Sequence, residues 1–180
     1  SIDSIREKII MSLECYIGPE QNLLSVTEKH AKRLFVENPI ITFQDIDAIK
    51  NMDHHGFHTE VIDMTFNVSS SSKDNLKQTL DQICQEVECA IENGSSFVVL
   101  SDRASDQNRA AVSSLLACGA VHHHLVNIAK RTQVGIIIET GEAREVHHHC
   151  LLLGYGADAI YPYLAYEAIL TAKDEGHLKH

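Results

Sequence analysis

The chain has 180 residues and a mass of 20.0 kDa, and 44% of its residues are hydrophobic, which is enough for one ordinary domain with a sizeable core. Its formal charge is −10, and its lysines and arginines never cluster beyond neighbouring pairs. Nucleic acid and anionic membrane surfaces are therefore poor partners. No apolar run approaches the roughly 20 residues that a membrane-spanning helix needs, and no signal peptide is expected.

The five cysteines are scattered and form no C-x-x-C pair: Cys15, Cys84, Cys89, Cys118 and Cys150. An odd number at irregular spacing does not indicate a disulfide framework. Reduced, buried thiols are typical of a cytosol-like compartment, so we expect a cytoplasmic protein.

Residues 1–58 are predicted to be an irregular extension with short helices. A helix fits residues 1–13, because isoleucine and leucine form one stripe at Ile2, Ile5, Ile9 and Leu13. The run 16–20 contains Gly18-Pro19 and indicates a turn, and a second short helix fits 27–35. Thr42 and Asp45 resemble a capping box, and they predict a third helix that runs to about Met52.

Residues 59–172 alternate between strand and helix patterns. Strands are predicted at 61–66, 97–100, 134–138 and 159–161. Helices are predicted at 73–92, 110–131 and 142–153, and Pro162 opens a closing helix. The first of these helices follows a serine loop at 69–72 and ends at Asn93-Gly94, which is typical of a left-handed C-cap.

The predicted fold is α/β: a single domain with a parallel βα-repeat of about four strands, comparable to half of an eight-unit barrel. The sequence leaves open whether the sheet curves like a half barrel or opens flat. Within the helix 73–92 the apolar face includes Leu80, Ile83 and Val87, which we expect to be buried.

Two histidine triplets, 122–124 and 147–149, lie in predicted helices. Consecutive helical residues point about 100° apart, so one triplet cannot converge on a metal ion. A histidine-based metal site would need imidazoles from both triplets. The alternative is that each triplet turns one imidazole inward, to hydrogen-bond a neighbouring element.

Charged residues follow two of the predicted strands, where functional groups of parallel βα-repeats are found. They are Asp102, Arg103, Glu139, Glu142 and Arg144. Either they bind a small molecule or perform acid–base chemistry, or they form an ion-pair and helix-capping network. No serine, cysteine or lysine stands beside an activating partner, and no phosphate-binding loop is present, so no catalytic, cofactor-binding or metal-ligating residue is assigned.

Seven motifs together resemble the central domain of glutamate synthase, the large glutamine-dependent enzyme. They are MSLECYIGPEQNLL at 11–24, NPIIT at 38–42, VIDMTF at 61–66, LSDR at 100–103, GAVHHHL at 119–125, ETGEAREVHHH at 139–149 and GYGADAIYPYLAYE at 154–167. They occur in the family's order and cover nearly the whole chain. Departures are small, at His149-Cys150 and at Tyr161.

The resemblance implies a parent enzyme that converts glutamine and 2-oxoglutarate to two glutamates. A glutaminase domain would release ammonia, and a barrel domain with FMN and an iron–sulfur cluster would reduce the imine formed from it. Electrons would come from NAD(P)H or ferredoxin. The present chain would be the central domain between them, without flavin or cluster and inert alone, and a plastid location is possible for a photosynthetic eukaryote.

The resemblance also implies that the central domain adjoins the ammonia channel. Such a route favours backbone groups, glycine and small hydroxyls, which here indicates Ile17, Gly18, Pro19 and Thr42. A turn at Gly18-Pro19 and a helix cap at Thr42 are compatible with that role. Two other functions remain open: a free-standing small-molecule-binding domain and a histidine-based metal-binding module.

Overall fold

The computed structural model describes residues 3–68 and 75–178, so the predicted serine loop at 69–72 lies outside the described residues. The first third contains two short helices, a 3₁₀ turn and three short strands. They are α1 (Ser4–Ile10), β1 (Cys15–Ile17), the turn Glu28–Ala31, β2 (Leu34–Val36), α2 (Phe43–Lys50) and β3 (Asp53–His54).

The remainder alternates strands with helices, as predicted. Its strands are β4 (Phe57–Asp63), β5 (Thr65–Asn67), β6 (Phe97–Ser101), β7 (Arg109–Ala111), β8 (Gly135–Glu139) and β9 (Ala159–Tyr161). Its helices are α3 (Asn75–Glu92), α4 (Ser114–Asn127), α5 (Val146–Gly154) and α6 (Tyr163–Asp174), with a 3₁₀ turn at Arg131–Gln133. None of the helices in the described residues is both long and apolar enough to cross a bilayer.

The main sheet has the strand order β3-β4-β6-β8-β9. Strands β4, β6, β8 and β9 are mutually parallel, which confirms the four-strand βα-repeat. In the described residues the sheet does not close into a barrel, because β3 and β9 are its outer strands. Strand β3 pairs antiparallel with the start of β4. This is the partial βα-repeat that the sequence predicts.

Alternating side chains of the central strands enter two separate cores, because successive residues of a strand point to opposite faces. One core lies under α3, α4 and α5 and contains Val98, Leu100, Ile136 and Ile138. The other contains Phe97, Val99, Ile137, Ala159 and Tyr161. It is the face that a closed barrel would turn inward.

The inward face is covered by the first third of the chain. Ile17 of β1, Ile41, and Ile46 and Ile49 of α2 are all buried in that second core. Residues 39–41 also extend the sheet beside β9: Ile160 N donates to Pro39 O at 2.7 Å, and Ile41 N donates to Ile160 O at 2.9 Å. These residues form an isolated parallel bridge rather than a named strand.

Several predicted boundaries are confirmed by the backbone. Thr42 and Asp45 form the reciprocal capping box at the start of α2, and α2 ends before His54. Helix α3 ends at Glu92 and is capped by Gly94, whose φ of 88° is left-handed. Ser95 N donates to Ala90 O at 2.9 Å, which completes the cap.

Three predictions about helices in the sequence are wrong. The helix predicted over 1–13 ends at Ile10, so Leu13 lies beyond it and is exposed. Residues 34–36 form a strand paired with β1 instead of continuing a helix. The long helix predicted over 110–131 covers only Ser114–Asn127.

Tertiary pairing explains the shorter helix. Residues 109–111 form β7, which pairs with β5, and this ladder overrides the helical pattern of the alanines. At the other end Ala129 has a φ of 56°, and Lys130 N donates to Leu125 O at 2.8 Å, which terminates the helix.

We expect Ile83→Ala to destabilise the domain by about 2–5 kcal/mol, because Ile83 is fully buried between α3 and the sheet and the deletion leaves a cavity. Leu80, which the sequence places on the same buried face, is only partly buried, so Leu80→Ala should cost less. Urea unfolding of the 180-residue chain measures both. Leu76→Ala, at an exposed position of the same helix, is the control, and equal losses at Ile83 and Leu76 would contradict the packing described.

Candidate functional site

Two carboxylates lie together at the carboxyl ends of β6 and β8. Asp102 follows β6 directly, and Glu139 is the last residue of β8. Ser101 and Glu139 are register partners in the parallel ladder, so the two strand ends are level. Both carboxylates are buried, at 5% and 2% exposure. A buried charge needs partners, and their partners decide what this site can do.

The carboxylate of Asp102 accepts hydrogen bonds from the neighbouring loop and from α6. Thr140 Oγ1 donates to Asp102 Oδ2 at 2.7 Å, and Gly141 N donates to the same oxygen at 3.0 Å. Tyr163 also hydrogen-bonds Asp102, and the pKa of its phenol is raised, first by burial and then by that hydrogen bond. Asp102 therefore ties β6 to the loop after β8 and to the start of α6.

Glu139 pairs with a lysine side chain that no sequence pattern connects to it. Lys50 Nζ, at the end of α2, lies 2.6 Å from Glu139 Oε2, and Ser101 Oγ donates to the same oxygen at 2.5 Å. Arg103 Nε lies 3.5 Å from the other oxygen. Lys50 is 89 residues from Glu139, so no local spacing in the sequence connects them.

Arg103 caps the cluster from the solvent side. Its guanidinium lies 3.8 Å from the centre of the Tyr163 ring, a cation–π contact. Arg103 Nη1 of the same guanidinium lies 3.7 Å from the carboxylate of Glu167 on α6. The predicted residues Asp102, Arg103 and Glu139 are thus brought together, as the ion-pair reading expects.

Glu142 belongs to a different part of the same edge. Its carboxylate accepts from Ser114 N and Ser114 Oγ, both at 2.7 Å, and from Ser113 Oγ at 3.2 Å, so it caps the start of α4. Burial raises its pKa, but the Ser114 and Ser113 hydrogen bonds outweigh this and the pKa is lowered overall. Beside it lies a cavity of about 200 Å³, lined also by His148 and Leu152.

Arg144 stays within its own loop. Its Nε donates to Gly141 O at 3.5 Å, and its backbone N donates to His148 Nδ1 at 3.2 Å. The five predicted charged residues therefore do not form one cluster. Asp102, Arg103 and Glu139 lie together, whereas Glu142 caps α4 and Arg144 is bonded within its own loop.

The residues that the resemblance associates with a channel lie at opposite ends of the sheet. Ile17 and Gly18 lie at the amino ends of the strands: a Cβ on Gly18 would come within 3.0 Å of the Phe97 ring, and the φ of Gly18 is 112°. Pro19 beside them is partly buried.

Thr42 lies at the carboxyl-end side, since it follows the bridge between Ile40 and Ile160. It hydrogen-bonds Asp45 in the capping box and lines a groove of about 450 Å³. The groove is also bordered by Glu37 and Asn38, which are exposed. Among the predicted channel residues, Thr42 thus borders open space.

The first histidine triplet bonds neighbouring elements, as one of the two alternatives predicts. His122 Nδ1 accepts from Arg131 Nε at 3.1 Å, and His124 Nε2 lies 3.3 Å from Glu88 Oε2 on α3. The same prediction is wrong for the second triplet. His148 Nδ1 accepts from Glu145 N at 3.3 Å and His149 Nδ1 contacts Glu145 O at 2.7 Å, both at the start of their own helix. Across 3–68 and 75–178, no three His, Cys, Asp or Glu side chains could together hold a metal ion.

Arg131 joins His122 to the turn before β9. Its guanidinium donates to Gly156 O at 2.8 Å and pairs with Asp158 at 3.1 Å. Burial lowers the pKa of His122, and the charge of Arg131 lowers it further. The neutral imidazole is thus required as the acceptor of this network.

An open parallel βα-repeat with its inward face filled by its own N-terminal third, and with its strand-end carboxylates paired internally, defines a barrel-related domain. The family described as the glutamate synthase central domain matches residues 1–180, and the chain belongs to this family.

Three curated relatives show the range of the family. The chain is 41% identical over 181 residues to "Glutamate synthase [NADH]" of Saccharomyces cerevisiae, covering 99% of this chain and 8% of the relative. It is 38% identical over 177 residues to "Glutamate synthase [NADPH] large chain" of Bacillus subtilis, covering 98% and 11%. It is 34% identical over 169 residues to "Ferredoxin-dependent glutamate synthase, chloroplastic" of Spinacia oleracea, covering 93% and 10%. The chain thus spans 8–11% of the length of these relatives.

We expect Lys50→Met to destabilise the domain by about 3 kcal/mol, because it leaves Glu139 buried without its nearest cation. This is the low end for breaking a buried pair, since Ser101 and Arg103 still contact the carboxylate. Urea unfolding measures the loss. Lys130→Met removes a lysine from the more exposed Glu88 and Glu92, so it should cost less unfolding free energy than Lys50→Met. A smaller loss for Lys50→Met than for this control would contradict the assignment.

The folded chain favours neutral His122 more than the unfolded chain does. Folding stability should therefore be highest above the reference imidazole pKa of about 6.5 and fall as the pH is lowered below it. We expect His122→Asn, which keeps an acceptor for Arg131, to reduce the loss of unfolding free energy between pH 7.5 and 5.5. The reduction should be a few tenths to about 1 kcal/mol, allowing for solvent screening. His147→Asn, at an exposed position of α5, is the control; an equal effect there would assign the pH dependence elsewhere.

Proposed function

We propose that this chain is the non-catalytic connecting domain of a glutamate synthase, an enzyme that makes two glutamates from glutamine and 2-oxoglutarate. The observation that carries the proposal is the family match over the whole chain, from residue 1 to 180. The relatives named for NADH, NADPH and ferredoxin support electron supply from one of these donors in the parent enzyme.

The non-catalytic role is supported by the carboxyl-end cluster. Barrel enzymes place their reacting groups at this edge, where loops leave them open to substrate. Here Asp102 is bonded to Thr140, Gly141 and Tyr163, and Glu139 is bonded to Lys50 and Ser101. Both carboxylates are nearly inaccessible, so a substrate would have to displace internal partners. The cluster is better suited to holding loops and α2 in place than to chemistry.

We propose that FMN and the iron–sulfur cluster belong to another domain of the parent enzyme. A flavin phosphate needs backbone N–H groups and positive potential, as a helix N-terminus provides. At the start of α4 those groups are already occupied by Glu142, whose carboxylate would repel a phosphate. This arrangement supports a domain that retains barrel-like strands without the barrel's cofactor.

We further propose that the glutaminase and FMN-binding domains of the same polypeptide are its partners. Residues 1–58 and 59–172 would act as one unit, since Ile17, Ile46 and Ile49 share a core with the sheet. The free cysteines support a proposed cytosolic location, and the relative described as chloroplastic supports a plastid one in a photosynthetic eukaryote.

We propose that the segments with Ile17, Gly18, Pro19 and Thr42 adjoin the ammonia channel, and that the groove beside Thr42 is its wall. An ammonia route must keep out bulk water and present neutral, weakly hydrogen-bonding groups. The groove offers the Thr42 hydroxyl, the Asn38 amide and the apolar Ile40 and Val36, and the carboxylates of Glu37 and Asp45 also border it. Gly18, in contrast, is packed against Phe97, and a larger side chain there would strain the fold rather than narrow a channel.

The channel is tested in the full-length enzyme with Glu37→Trp, which narrows the groove at an exposed position. Glutamate formation from glutamine should fall roughly tenfold, about 1.4 kcal/mol of added barrier, while free ammonia still supports the reaction. Glutamine hydrolysis should continue, so the two half-reactions become uncoupled.

The matched control is Glu60→Trp, the same change at an exposed residue of β4, away from the groove. It should leave both rates unchanged. Equal loss of the glutamine-driven and ammonia-driven rates in Glu37→Trp, or no loss of either, would contradict the channel proposal.

The two other functions that the sequence leaves open have less support. A small-molecule site at Asp102, Arg103 and Glu139 would compete with the internal ion pairs described above. A histidine-based metal module would need the two triplets to meet, whereas the contacts of His122, His124, His148 and His149 are to different elements.

A further inference from the structure

The loop between Glu20 and Thr27 presents three aliphatic side chains almost completely to solvent. Leu23 is 90% exposed, Leu24 is 95% exposed and Val26 is 99% exposed. Single exposed apolar residues are common on protein surfaces. Three within four positions, each nearly free of contacts, form an apolar patch of the kind that marks an interaction site.

The loop is ordered by its own polar groups rather than by burial. Leu24 N donates to Asn22 Oδ1 at 2.9 Å, and Ser25 N donates to Asn22 O at 3.0 Å. His30 Nε2 lies 3.2 Å from the same Asn22 oxygen, from the 3₁₀ turn that follows. The backbone is therefore shaped before any partner arrives, which lowers the entropy cost of binding.

The base of the loop is fixed to the body of the domain. Glu20 N donates to Thr132 O at 2.7 Å, and the Glu20 carboxylate pairs with Arg33 at 3.3 Å. Gly18 packs on Phe97 at the start of β6. The loop thus projects from the amino ends of the strands, opposite the cluster around Glu139.

The amino-acid sequence narrows what can cover these side chains. Apart from Ile2, the residues outside the described ranges are Ser, Lys, Asp and His, whose polar side chains are chemically unsuited to cover two leucines and a valine. A second copy would bring another −10 of charge, and like-charged molecules repel. The same net charge disfavours an anionic lipid surface. By contrast, about nine-tenths of the relatives' length lies outside the matched segment.

We propose that Leu23, Leu24 and Val26 form a docking loop that inserts into an apolar pocket on another domain of the same polypeptide. This inference rests on the proposed function only in treating the chain as one domain of a longer protein, and it does not depend on the channel. The hydrogen bonds of its polar residues set the backbone shape of the loop before binding, and its three aliphatic side chains supply the contact area.

The test uses the full-length polypeptide with a photo-crosslinking phenylalanine derivative in place of Leu24. The same derivative replaces Gln78, an exposed polar residue of α3, as the control. Crosslinking an equal mixture of isotopically light and heavy protein, followed by mass spectrometry, separates contacts within one molecule from contacts between copies. We expect Leu24 to crosslink to residues outside 1–180 of the same molecule, and Gln78 to give a different set.

Leu24→Ser and Val26→Ser provide a second measurement. They should speed amide hydrogen exchange in the crosslinked partner peptide by on the order of tenfold, with exchange in β6 and β8 unchanged. Crosslinks confined to residues 1–180, crosslinks between copies, to lipid or to a different protein, or identical sets at both positions would each overturn the proposal. Neither readout uses glutamate formation, so this proposal and that of the channel can fail separately.

Discussion

The parallel strands of this domain are apolar on both faces, and the whole structure depends on covering both. Helices α3 to α5 cover one face, as in any βα-repeat. A complete barrel would bury the other face against four more strands. Here Ile17, Ile41, Ile46 and Ile49 take that place. Through these isoleucines the irregular first third substitutes for the missing half of a barrel, while much of the rest of that segment stays exposed.

The polar groups at the strand ends follow from the same arrangement. In a barrel enzyme the carboxyl edge opens to substrate. In this domain α2 crosses the inward face and delivers Lys50 to Glu139, while α6 delivers Tyr163 to Asp102. The charged residues at this edge thereby form ion pairs and hydrogen bonds that link the first third, the sheet and the last helix. These internal contacts are the reason for proposing a connecting role instead of a catalytic one.

The repeat and its last three strand positions could be predicted from the sequence because they depend on local patterns, whereas the strand predicted at 61–66 is divided between β4 and β5, which lie in different sheets. The apolar runs at 97–100 and 134–138, the Gly94 cap and the capping box of Thr42 are all signalled within a few residues. The Lys50–Glu139 pair, the β5–β7 ladder and the cover of the inward face depend on residues far apart in the chain. One sequence without long-range information contains no pattern that joins them. The same limit explains why Ile17 and Thr42, both assigned to one channel, lie at opposite ends of the sheet.

The bridge between residues 39–41 and β9 has a consequence for assembly. Two half barrels can in principle join edge to edge into one closed barrel. That union needs a free row of backbone donors and acceptors on the terminal strand. The outward N–H and C=O of Ile160 are already bonded to Pro39 and Ile41. A second half barrel would have to peel this segment away, along with the isoleucines that fill the inward face. At this edge of the sheet, residues 39–41 therefore occupy the place that the first strand of a second half barrel would need.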